Sequence, residues 1–135
     1  CGNGGSAANA LHFANDLISC GIRAHAFTAD MATLTAIAND YGYEYIFSRQ
    51  VELFGEEGDL LIAFSGSGNS PNILRALEIC KDLGLITFAI VGSFGTPAAR
   101  RLADYTIAYG INMQEAENYQ LTLAHQIYRA LKGLQ

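Results

Sequence analysis

Apolar residues recur along this chain with two periods that take turns. Between Ser6 and Ser19 they fall at Ala7, Leu11, Ala14, Leu17 and Ile18, the spacing of one helix face. Gly21 follows, as glycine does after a helix C-terminus. The short run RAHAFT, residues 23–28, reads as a strand. Asp30 stands where an N-cap would open a helix over MATLTAIAND, which stops at Gly42. YEYIFSRQVELFG reads as a further helix ending at Gly55. DLLIAFS, residues 59–65, is a continuous apolar run, as expected of a strand covered on both faces of a parallel sheet. Ser70-Pro71 then combines an N-cap residue with proline at the first helical position. LITFAIVG reads as the next strand and PAARRLA as a short helix opened by Thr96-Pro97. DYTIAYG reads as a last strand, and a final helix runs from about Gln114 to Lys132.

Strands separated by helices predict an α/β domain with a mostly parallel sheet and helices on both faces, a three-layer α-β-α sandwich. Ligands of such sheets bind beyond the carboxyl ends of the strands, where both glycine- and serine-rich loops of this chain fall. The 135 residues suffice for one domain spanning 1–135 with a real core. The chain opens directly on a glycine-rich loop of the kind that follows a strand. This reads as part of a longer chain, with a strand and a helical segment expected before Cys1.

Half of the residues are apolar and 16% are charged, a globular composition. The net charge of −5 argues against direct nucleic-acid binding, which calls for a basic stripe. A few local donors can still seat a small anion. Cys1, Cys20 and Cys80 are odd in number and lack CxxC spacing, so neither a disulfide framework nor a cysteine zinc site is expected. Free thiols and the lack of any long apolar run fit a cytoplasmic protein with no membrane partner.

The loop GNGGSA, from Gly2 to Ala7, fits the GxGxxA pattern of a dinucleotide turn, with Asp30 beyond the next predicted strand. That acidic residue comes late for the pattern, and the same glycines serve an ordinary tight turn. SGSGNS, from Ser65 to Ser70, is more informative. It joins a buried strand to a helix whose first amide nitrogens are unpaired. Hydroxyls and N–H groups at that point suit a phosphate oxygen. No lysine follows as in a nucleotide P-loop, so a phosphomonoester of a small molecule is favoured and no nucleotide cofactor is expected.

His12 and Asp16 are four apart on the first helix and share a face. Glu117, Gln120 or Leu121, and His125 lie along one broad side of the last helix. Acidic groups and histidines on two helices beside a phosphate loop can serve as acid/base groups or metal ligands. His12, beside the apolar stripe, is also compatible with a boundary residue. Asn39-Asp40 is also an ordinary helix end.

Four stretches together, CGNGGSAANALHFANDL, IANDYGYEYIFSRQVE, EEGDLLIAFSGSGNSPNILRAL and ENYQLTLAHQIYRAL, resemble the SIS (sugar isomerase) family, and within it the phosphoheptose isomerase branch. The likeness covers nearly the whole chain. It implies a flavodoxin-like SIS fold and interconversion of sedoheptulose 7-phosphate with an aldoheptose 7-phosphate, a step of heptose biosynthesis. It also implies a homotetramer with sites between subunits, often with a zinc ion. Asn3, Gly4, Gly5, Ser6, Asn39, Asp40 and Glu117 would contact the sugar. Ser65, Gly66, Ser67 and Ser70 would hold the phosphate. His12, Asp16, Glu117 and His125 would be metal ligands, and Asp16, Glu117 and His125 the acid/base groups.

Three positions depart from the branch: Asp16 stands for a glutamate, Glu117 for a glutamine, and Gly66 for a threonine or similar residue. The shorter Asp16 withdraws its carboxylate by about 1 Å, a displacement that costs on the order of 10²-fold in rate where it is not compensated. The resemblance therefore also implies an alternative, a non-catalytic SIS module that senses phosphosugars or binds a protein partner such as a replication initiator.

Overall fold

The computed structural model describes residues 1–133. Three strands, β1 (Leu60–Ser65), β2 (Ile86–Val91) and β3 (Tyr105–Ala108), form a parallel sheet in the order β1-β2-β3. Leu60 pairs with Ile86 and Ser65 with Val91, while Phe88 to Val91 run beside Tyr105 to Ala108. Six α-helices surround it: α1 (Gly5–Ser19), α2 (Met31–Asp40), α3 (Ser48–Phe54), α4 (Pro71–Asp82), α5 (Ala99–Leu102) and α6 (Met113–Leu131).

Alternation along the strands divides the core in two. Leu61, Ala63, Ala89 and Val91 point to one face, where Val51 of α3 and Ile73, Ala76, Leu77 and Cys80 of α4 cover them. Ile62, Phe64, Phe88 and Ile90 point to the other, against Ala10 and Phe13 of α1 and Ala124 of α6. The result is the expected three-layer sandwich. Burial pushes the Cys80 thiol up to about 12, which leaves it an inert packing group.

Gly2 bridges Phe64 in parallel, and the Phe64 N–H donates to the Cys1 carbonyl at 2.9 Å. The chain leaves Gly2 into α1 on one face of the sheet, while β1 leads into α4 on the other. The Gly2 bridge and the end of β1 beside it thus lead to opposite faces of the sheet.

Most predicted elements are present, with shifts of a residue or two at their ends. Asp30 caps α2 as expected, accepting from the N–H groups of Ala32 and Thr33. Two readings are corrected. Residues 23–28 form no strand: no strand lies alongside them among the described residues, and the Phe27 carbonyl is taken instead by the Gln50 side-chain amide at 3.0 Å. The stretch after Gly42 is not one helix. It starts as a 3-10 turn, Tyr43–Tyr45, and becomes α-helical only at Ser48, a break that turns Ile46 and Phe47 fully into the core.

At the opposite end of the sheet, the Asp104 carboxylate accepts from both the N–H and the hydroxyl of Thr87, each at 2.8 Å. These bonds favour the ionised form and hold Asp104 below the usual carboxylate range. They tie the start of β3 to the start of β2.

Candidate functional site

The serine loop is held from within. Ser65, buried at the end of β1, accepts the Gly68 N–H on its hydroxyl at 3.1 Å. Ser67 accepts the Asn69 N–H at 3.2 Å. A hydroxyl that accepts in this way keeps its own proton to donate. Asn69 clamps the loop to the approach of α5: its amide donates to the Ser67 carbonyl, and its oxygen accepts the Ala98 N–H at 2.7 Å. Ser70 occupies the N-cap of α4, yet its hydroxyl makes no capping bond. Three hydroxyls therefore remain as donors beside the positive end of a twelve-residue helix.

Gly66 allows a close approach by the exposed, flexible side chain of Met113. A Cβ there would lie 2.1 Å from Sδ of Met113, so the thioether of the first α6 residue rests on the loop. A threonine at this position has no room while Met113 stays.

The glycine loop adjoins the serine loop through one amide pair. Asn3 donates to the Asn72 oxygen at 2.9 Å and accepts from the Asn72 amide at 2.8 Å. The Tyr43 hydroxyl donates to the same Asn3 oxygen at 3.1 Å. Ser6 turns its hydroxyl into the seam between α1 and α6, donating to the Gln120 oxygen at 3.0 Å. Asn9 donates to that oxygen as well, and to the Glu117 carbonyl. The Glu117 carboxylate lies over Gly5, where a Cβ would meet its two oxygens at 2.5 and 2.7 Å. Only glycine admits an acidic side chain this close to the first turn of α1, where a negative charge is favoured.

The contacts Gly5 with Glu117, Asn9 with Gln120 and His12 with His125 show α1 and α6 packed side by side and running the same way. Further along this seam the two imidazole Nε2 atoms of His12 and His125 stand 2.9 Å apart. The Asp16 Oδ2 lies 3.5 Å from His12 Nε2, buried and without a hydrogen bond. One ligand atom from each of the three residues falls within 4.8 Å of the others. An unpartnered buried carboxylate oxygen facing two imidazole nitrogens is costly alone and satisfied by a divalent cation. Two imidazoles and a carboxylate, with positions left open, match the donor set of catalytic zinc and related metal centres. The fourth expected ligand, Glu117, is directed onto Gly5 and stands outside this grouping. His12 is seven residues past Gly5, about 10 Å of helix rise.

Asn39 and Asp40 end α2 in exposed positions, where the Asn39 amide donates to Asp40 at 2.8 Å. Neither shares a hydrogen bond with the two loops among the described residues. Gln120, expected on one side of α6 with Glu117 and His125, is buried in the seam with α1. Tyr43, Asn72 and Met113 escaped assignment from sequence, since their roles rest on partners distant in the chain.

A family model described as SIS domain matches residues 1–92. The chain belongs to the SIS domain family. Its relatives place this SIS domain in the phosphoheptose isomerase branch. It is 50% identical over 112 residues to a phosphoheptose isomerase of Aneurinibacillus thermoaerophilus, covering 78% of this chain and 56% of that protein. It is 50% identical over 101 residues to one of Helicobacter pylori, covering 70% and 53%. The solved phosphoheptose isomerase of Francisella tularensis superposes with a TM-score of 0.92 at 33% identity, over 98% of this chain and 73% of that one. The one of Neisseria gonorrhoeae gives 0.92 at 34% identity, over 99% and 74%. The SIS domain spans about half the length of the curated relatives it matches. No helix among the described residues is long and apolar enough to cross a membrane.

Proposed function

We propose that this SIS domain belongs to a phosphoheptose isomerase that interconverts sedoheptulose 7-phosphate and an aldoheptose 7-phosphate. The observation that carries the reading is the serine loop: three hydroxyls with protons to give, at the N-terminus of α4, beside the glycine loop that Asn3 joins to Asn72. In this reading Ser65, Ser67 and Ser70, with the Gly66 backbone, hold the phosphate. Asn3, Gly4 and Gly5 line the sugar, with Ser6 contributing its main chain. Asn39, Asp40 and Glu117 complete the sugar contacts.

The reaction moves a proton from the hydroxyl-bearing carbon to the carbonyl carbon beside it. A carboxylate, Asp16 or Glu117, takes the proton from the hydroxyl-bearing carbon, and His125 protonates the carbonyl oxygen. The resulting enediol becomes the isomer when the other hydroxyl gives up its proton and the former carbonyl carbon takes one up. His12, Asp16 and His125 would hold a divalent cation, zinc in this reading. Such an ion, when bound, polarises the carbonyl and stabilises charge on the oxygens.

The reading includes a cytoplasmic homotetramer with sites completed between subunits. The half-exposed His12 side chain and the distance of its cluster from the glycine loop support a neighbouring copy as the source of the second half. The test is incubation of the protein with sedoheptulose 7-phosphate, with and without zinc. Appearance of an aldoheptose phosphate is expected, with Ser70→Ala raising KM more than it lowers kcat. No product under either condition overturns the reading.

A further inference from the structure

We propose that Tyr43 and Asn72 lock Asn3 as a one-way hydrogen-bond donor, so that Asn3 receives a ligand oxygen that only accepts. A carbonyl or a phosphoryl oxygen meets that donor outright; a sugar hydroxyl meets it only by accepting, with its own proton left to find another partner. The inference rests on the reading of the glycine and serine loops as a sugar-phosphate site.

Counting bonds leads there. An asparagine side chain has two N–H donors and one oxygen with two lone pairs. The Asn3 oxygen takes one bond from the Asn72 amide and a second from the Tyr43 hydroxyl. Its accepting capacity is full. One Asn3 N–H goes to the Asn72 oxygen, which leaves one N–H to offer. Asn72 is only 1% exposed and sits in the first turn of α4, so the pair is anchored to rigid structure. Tyr43 approaches from the 3-10 turn and is 57% exposed, so its hydroxyl contributes to orientation with little core packing at stake. Tyr43 and Asn72 are positioning residues acting through Asn3.

Tyr43→Phe removes the second bond and returns a lone pair to the Asn3 oxygen. Three probes read the consequence by calorimetry: sedoheptulose 7-phosphate, the heptitol 7-phosphate made by reducing its carbonyl to a hydroxyl, and inorganic phosphate. The Asn3 side-chain amide, assigned by its loss in Asn3→Asp, is followed in parallel by NMR. If the partner oxygen is the carbonyl, the wild-type protein prefers the ketose, and Tyr43→Phe narrows that preference roughly five- to tenfold. If it is a phosphoryl oxygen, all three probes weaken together by that factor. In both cases the Asn3 amide protons exchange faster in Tyr43→Phe, and the melting temperature stays within a few degrees.

Unchanged affinities together with an unchanged Asn3 amide in Tyr43→Phe overturn the inference. Should no probe bind the wild-type protein, the sugar-phosphate reading fails, and the NMR comparison alone decides the lock: faster exchange in Tyr43→Phe sustains it and identical exchange removes it.

Discussion

His12 and His125, 113 residues apart in the chain, meet Nε2 to Nε2 at 2.9 Å. Two protons cannot occupy that gap, so at least one of the facing nitrogens carries a lone pair. The buried, unpartnered Asp16 oxygen beside them completes a set of donors converging on one point.

A first prediction follows from that convergence. Zinc titrated into the metal-free protein binds at one site per chain by calorimetry. His12→Ala and His125→Ala weaken it by more than the roughly 10- to 100-fold typical of losing an outer-sphere partner. Asp16→Asn weakens it as well, because the amide brings no charge. Wild-type affinity in all three variants would show that the cluster holds no ion.

Gly66 and Met113 form a coupled pair. Gly66→Thr places side-chain atoms where the Met113 sulfur now rests, so the exposed Met113 side chain must move aside. Inorganic phosphate binding is expected to weaken in Gly66→Thr and to recover in the double variant Gly66→Thr with Met113→Ala. A double variant no better than Gly66→Thr alone would rule out Met113 as the obstacle.

Gln120 is buried at 1% exposure and serves as acceptor for both Ser6 and Asn9. Gln120→Ala takes the acceptor from the Ser6 hydroxyl and from one of the two Asn9 bonds, and opens a void. Denaturant unfolding should register a loss of about 2–4 kcal/mol. Ser6→Ala, which removes one donor and leaves the Asn9 bond in place, should cost about 1 kcal/mol.

Asp104 governs part of the acid response. Its folded carboxyl lies below the usual range because of the Thr87 hydroxyl and N–H. Its stabilisation is therefore fully present above the unfolded value of about 3.9, and is lost as the pH falls through the lower folded value. Asp104→Asn should melt below wild type at pH 7, with a gap that closes as the solution is acidified past that point. A gap independent of pH would assign the loss to geometry instead of charge.

The helices and strands were legible where apolar periods run long. β1 and β2 read as unbroken apolar runs because both faces are covered, and α1, α4 and α6 carry clear stripes or caps. Residues 23–28 had strand-like composition but form no ladder, because a strand exists only where a neighbour offers hydrogen bonds. The stretch after Gly42 had helical spacing, and packing of Ile46 and Phe47 broke it into two pieces.

The chemistry of the candidate site divides the same way. The three serines at a strand-to-helix junction were visible as an anion seat from local order alone, since hydroxyl type, glycine and a helix start are all written within six residues. The family could be read in consecutive stretches for the same reason. Which groups meet could not. Asn3 finds Asn72 across 69 residues, His12 finds His125, and Glu117 turns onto Gly5 instead of joining them. The last two meetings depend on α1 and α6 lying parallel on one face of the sheet, above the packing of Phe13, Phe64 and Ala124, and the first on the glycine loop reaching the start of α4. A side chain's partner is a property of that packed geometry, and spacing along one element carries no measure of it.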